Sequence, residues 1–142
     1  MQRTLLIILL FSLSFACKKD QNPVPKAPDN FFLNITSDPQ LSSLLAPYNA
    51  VIVTGGYRKN GVIVFRTKME GTKDDFVAYD RTCTYEVDTS KMLWTIKNPY
   101  YCICSHCKSK FNLLGGYLEN GPATYSLRKY NCDYVDGVIH VY

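Results

Sequence analysis

The sequence predicts an all-β domain, a small β sandwich or barrel. Short runs of β-branched and aromatic residues recur along it, closely spaced Gly, Asn-Gly and Asp-Gly signals separate them, and only one segment reads as a helix. The chain has 142 residues, and setting aside residues 1–30 leaves room for one domain with a modest core. Eleven tyrosines, mostly in strand-like runs, suit a pleated surface on which rings pack well.

Taken in order, residues 31–35 read as a first strand. Asp38 before Pro39 is a helix start, and a short apolar stripe over residues 40–45 ends before Pro47. Residues 50–53 and 62–66 are strands on either side of Gly55-Gly56 and the Asn60-Gly61 turn, and residues 76–79 form another. Residues 92–96 and 101–103 flank Asn98-Pro99, with Trp94 expected in the core or on the sheet surface. Residues 110–113 lead to Gly115-Gly116, and Tyr117-Leu118 precede Asn120-Gly121. A long strand over residues 125–135 should return through Asp136-Gly137 into residues 138–142.

The N-terminus sets the compartment. Arg3 precedes an apolar run over residues 5–15, too short to cross a bilayer as a helix, and Ser14-Phe15-Ala16 stand before Cys17. This resembles a bacterial lipoprotein signal: residues 1–16 removed, Cys17 lipidated, the protein held in the cell envelope on a bacterial membrane. An ordinary secretory signal cut after Ala16 is the other reading. Residues 17–30 carry Pro23, Pro25 and Pro28 among polar residues, the composition of an extended tether to a domain over residues 31–142.

Composition narrows the function. The net charge is +4, or +3 once Arg3 is removed with the signal, and no basic stripe alternates with aromatics, so nucleic acid is not an expected partner. No Ser-His-Asp set, phosphate loop or His-Glu-x-x-His pattern supports a hydrolase or nucleotide enzyme. Asp74-Asp75 reads as a solvated turn, His140 as an ordinary strand residue, and Cys132 as a buried free thiol in mid-strand.

The chemistry concentrates between residues 102 and 123. Cys102, Cys104 and Cys107 flank a turn between two strands, with His106 beside Cys107, and a Cys-x-x-Cys pair on such a turn can aim two thiolates at one centre. Cys83 follows the strand over residues 76–79, so its loop can meet that turn at one end of the domain. Apart from Cys17 there are five cysteines, an odd number, and pairing alone leaves one thiol over.

Around these cysteines the chain resembles a Rieske iron–sulfur domain, in which Cys-x-His and Cys-x-x-His loops hold a [2Fe–2S] cluster, two thiolates on one iron and two imidazoles on the other. Cys83 and Cys104 match the two cysteines. Tyr85 stands at the first histidine position and Cys107 at the second. His106 occupies a place where many members carry a disulfide-forming cysteine, and Asp88 fills the partner position. Ser109 and Phe111 match a Ser-x-Phe after the second loop, and Gly121-Pro122-Ala123 matches the proline loop over the cluster. The likeness implies the fold and a cysteine-bearing two-loop tip, across residues 31–142.

Both imidazole positions differ, and that decides the functional expectation. In an oxidising compartment the first reading is a cluster-free binding or structural module, stapled by a disulfide from Cys83 to Cys104 or Cys107 and stabilised by about 3 kcal/mol. The alternative is an electron carrier with a [2Fe–2S] cluster or another metal on Cys83, Cys104 and Cys107, with a protein redox partner and with Cys102 or His106 as fourth ligand. Cys102 shares a strand face with Cys104 in a regular strand. Zinc on the same ligands, or a redox dithiol at Cys104 and Cys107, are the remaining uses. A catalytic oxygenase component is not expected, since there is no room for a second domain and no mononuclear iron motif.

Overall fold

The computed structural model describes residues 20–87, 92–94 and 99–142, the short middle stretch by its backbone alone. Eleven strands follow one another among the described residues: β1 (Phe31–Asn34), β2 (Ala50–Val53), β3 (Val62–Arg66), β4 (Phe76–Asp80), β5 (Met92–Trp94), β6 (Tyr101–Cys104), β7 (Lys110–Asn112), β8 (Leu118–Asn120), β9 (Lys129–Tyr130), β10 (Cys132–Val135) and β11 (Val138–Val141). They form three sheets with antiparallel pairing, ordered β1-β11-β10, β2-β3-β4-β9 and β5-β6-β7-β8. The expected all-β class holds.

The two central strands of the middle sheet, β3 and β4, are buried on both faces, which explains their unbroken apolar runs. Ile63, Phe65, Val77 and Tyr79 face one core, with Cys102, Cys104 and Phe111 of the third sheet. Val62, Val64, Phe76 and Ala78 face the other, with Ile139 and Val141 of the first. Alternate residues of a strand point to opposite sides, so a strand apolar at every position needs a partner layer on each.

Local signals explain most of the remaining elements. Asp38 caps the expected helix by accepting from the Gln40 N–H at 2.9 Å, but Pro39–Leu45 is a 3-10 helix. Its two buried residues, Leu41 and Leu44, are three apart, the spacing that lines up on a helix of three residues per turn. Between β10 and β11, Asp136 (φ 49°) and Gly137 (φ 82°) are both left-handed, as a type I′ hairpin turn requires.

Three expectations need correction. The long strand over residues 125–135 is two short ones, β9 on the middle sheet and β10 on the first. The chain changes sheets at Asn131, whose N–H and C=O pair with Tyr142. Asp75 is fully buried: only Asp74 lies on the solvated turn, because the Asp75 carboxylate accepts from the N–H groups of Glu70, Gly71 and Thr72 and faces Arg66 at 3.5 Å.

The third concerns the tether. From Asp20 onward it lies against the domain. Val24 is fully buried, Arg128 bonds the Val24 carbonyl at 2.7 Å and pairs with Asp20, and Asp29 accepts from the Gly56 N–H at 2.6 Å. Polar, proline-rich composition suits this role too, since an extended strap can be held by long-range partners that a local reading does not see.

Candidate metal centre

Three loops meet at one end of the third sheet. The first leaves β4 through Asp80, a buried carboxylate that accepts from the N–H groups of Tyr57 (2.5 Å) and Thr82 (2.8 Å) and from the Tyr130 hydroxyl (2.7 Å). Thr82 is held by Asn60 at 2.9 Å, and Thr84 donates to the Tyr125 carbonyl at 2.7 Å. Cys83 sits between these two anchored threonines and is fully buried.

The second loop joins β6 to β7. The Cys104 N–H bonds the Ser109 carbonyl at 2.8 Å, and Lys108 takes a left-handed φ of 64° that closes the turn. Cys104 is buried at its start, and Cys107 is half-buried at its crest. The third is the loop after β8. Gly121 has φ +114°, and a Cβ there would stand 2.4 Å from the Ser109 Cα, so only glycine lets this loop close over the second. The Ala123 N–H then reaches the Ser109 Oγ at 3.1 Å.

The sulfurs of Cys83, Cys104 and Cys107 all lie within 4.8 Å of one another. Cys83 and Cys107 are 3.7 Å apart, and the Ser109 Oγ is 3.1 Å from the Cys107 sulfur. A disulfide needs about 2.05 Å, and all three are free thiols, so the expected staple is corrected. The physical reason is that three sulfurs converge on one point instead of two closing a bond.

The surroundings shift Cys83 and Cys107 in opposite directions. Burial pushes Cys83 up to about 12. Burial also pushes the Cys107 thiol up, but hydrogen bonds from Ser109 and from the Cys104 and Cys83 thiols outweigh it and leave Cys107 below the ordinary thiol range.

The other sequence candidates lie apart from this centre. Cys102 is fully buried under the sheet and is not among the sulfurs that converge. It does share a face with Cys104, but alternate residues on a strand are about 7 Å apart. The His106 Nδ1 pairs with Glu86, and its side chain is 69 % exposed. Tyr85 is 52 % exposed. Sequence reasoning missed Glu86, Thr84 and Tyr125, and no local signal marks them, because their partners lie far along the chain. Cys132 is a half-buried free thiol in β10, and His140 lies in β11 stacked on Phe32 at 4.2 Å. Cys17, Asp88 and the side chain of Trp94 lie outside what is described.

The donor set does not fit a two-thiolate, two-imidazole [2Fe–2S] cluster. Neither histidine position carries an imidazole, and the one histidine nearby is engaged with Glu86 at the surface. What the tip offers is a group of soft sulfur donors, half open to solvent at Cys107.

No protein-family model matches the chain, and no curated protein does. Among solved structures it is similar to the cyanobacterial plasma membrane Rieske protein of Synechocystis PCC 6803, with a TM-score of 0.51 and 22 % identity over 64 % of this chain and 85 % of that one. The layered sheets and the cysteine-bearing tip therefore form a Rieske-type fold.

Proposed function

We propose that this chain is an envelope-held metal-binding module whose centre is built from Cys83, Cys104 and Cys107, and which acts as a small carrier, not as a catalytic subunit. One observation carries the reading. Two loops separated in sequence deliver three sulfurs to within 4.8 Å of one another, an arrangement that hydrophobic packing alone does not require. In an oxidising compartment, close unprotected thiols are prone to pair, and a bound metal would keep them reduced. The half-exposed Cys107 leaves the centre near the surface, where a protein partner can approach it.

Lipidation of Cys17 completes the reading. Among the described residues no helix is long and apolar enough to cross a membrane, and the similar structure is a plasma membrane Rieske protein. Asp20 is already tied to Arg128. Three residue steps then bound the distance from a lipid on Cys17 to the domain at about 10 Å, which would keep the module close to the bilayer.

The test is metal content after anaerobic purification of the full chain. The wild type should carry stoichiometric metal, with Cys83→Ser, Cys104→Ser and Cys107→Ser each losing it and Cys132→Ser keeping it. Metal-free wild-type protein lacking two titratable thiols would refute the reading. Separately, the wild type should partition into detergent and Cys17→Ser into water; wild-type protein found in the aqueous phase would remove the lipid anchor.

A further inference from the structure

We infer that the tip binds one thiophilic closed-shell ion, Zn2+ or Cu+, through three sulfurs with one open coordination position, and not a binuclear iron cluster. This rests on reading Cys83, Cys104 and Cys107 as a metal centre, and it names what that centre takes.

The geometry is that of a single ion. With metal–sulfur bonds of about 2.3 Å, neighbouring thiolates of a tetrahedral site stand about 3.8 Å apart. Cys83 and Cys107 are 3.7 Å apart, and Cys104 lies within 4.8 Å of both. A point bonded to all three asks Cys104 to close in by at most about 1 Å, within the reach of a side-chain rotation. A binuclear cluster sets the opposite requirement. Its irons are distinct centres with two protein ligands each, and the position filled by Cys107 serves a different iron from the positions of Cys83 and Cys104. Ligands of different irons belong on opposite sides of a cluster, yet the Cys83 and Cys107 sulfurs are in contact.

No fourth side chain completes the set among the described residues. His106 is turned to Glu86, Tyr85 is exposed, and Cys102 stays outside the sulfur group. The half-buried Cys107 marks the side on which water or a partner's donor would take the fourth place. Three thiolates suit Cu+ without a further ligand and Zn2+ with an added water, and both ions favour soft sulfur donors.

The full chain, purified anaerobically and freed of metal, is titrated separately with Zn2+ and with Cu+ against competing chelators, and metal-edge X-ray absorption is recorded on the loaded samples. Acid-labile sulfide and iron are counted on protein as isolated. The expected result is one ion per chain, three sulfur neighbours at about 2.3 Å, no labile sulfide and no metal–metal scattering. The arm that competes better identifies the ion. Affinity should fall by at least about tenfold in Cys107→Ser and stay unchanged in Tyr85→Phe and His106→Ala. A rise in the melting temperature of the wild type on adding the ion gives a second measure that needs no variant to fold. Two irons with labile sulfide would overturn this inference and leave the metal-centre reading standing. Failure to take up either ion, with two thiols missing, would overturn both. Loss of the ion in Tyr85→Phe or His106→Ala would overturn the three-sulfur donor set.

Discussion

Asp75 and Arg66 show how much one side chain can hold in place. Arg66, at the end of β3, bonds the Leu44 carbonyl at 2.8 Å and the Lys68 carbonyl at 3.0 Å, and lies 4.9 Å above the Phe76 ring. It therefore ties the 3-10 helix and the β3–β4 connection to the sheet, with Asp75 as its counter-charge. Burial pushes the Asp75 carboxyl up, but the N–H groups of Gly71, Thr72 and Glu70 and the Thr72 hydroxyl outweigh it and hold it below the ordinary carboxylate range. A lowered folded-state pKa stabilises fully above the unfolded value of about 4, and that stability is lost as pH falls through the folded value. Asp75→Asn leaves a buried guanidinium uncompensated and should cost about 3 kcal/mol at neutral pH. Urea unfolding should show the gap to wild type shrinking below about pH 4. A gap that did not change with pH would mean the charge contributes nothing. Gly121 makes the complementary point about space. In Gly121→Ala the new Cβ meets the Ser109 Cα at 2.4 Å in a left-handed conformation, so the loop must lift. The melting transition should drop by the equivalent of about 2 kcal/mol, with weaker metal binding; an unchanged transition would mean the loop is not seated on Ser109.

At the scale of elements, the strap formed by residues 20–30 is the feature most easily misread. Burying one valine stabilises by about 2 kcal/mol, and Val24 is fully buried. The hydrogen bonds from Arg128 to Val24 and from Gly56 to Asp29 add to it. A chain that begins at Phe31 should unfold at lower denaturant, by about 3 kcal/mol. Equal stability of the two chains would return the segment to the role of a free tether. The strap and the tip also depend on a common strand: β4 carries Ala78, paired with Tyr130 of β9, and ends in Asp80, from which the Cys83 loop departs. The strap docks on Ser126 and Arg128, just before β9, so it braces the segment that in turn braces this loop.

For the whole molecule, the layers and the turns could be read locally. The doubly buried strands β3 and β4 announce themselves as unbroken apolar runs, and Asp136-Gly137 as a hairpin. The two cysteine loops were equally visible, as strand ends carrying Cys83 and the Cys104/Cys107 pair. Such features depend on residue type and short-range spacing, which a single strand or turn expresses by itself. What the thiols do with one another depended on the fold. Cys83 and Cys107 are 24 residues apart, and a left-handed Lys108 and a glycine pressed on Ser109 set the turn that brings their sulfurs to 3.7 Å. The same holds for His106 turning to Glu86, for the burial of Asp75 and for the docking of residues 20–30. The sequence by itself determined the all-β class and which loops bear sulfur, because propensity and periodicity act over a few residues. Only the tertiary structure decided that three sulfurs share one centre while the histidine stays outside it, because side-chain direction at a loop tip is settled by contacts from distant parts of the chain.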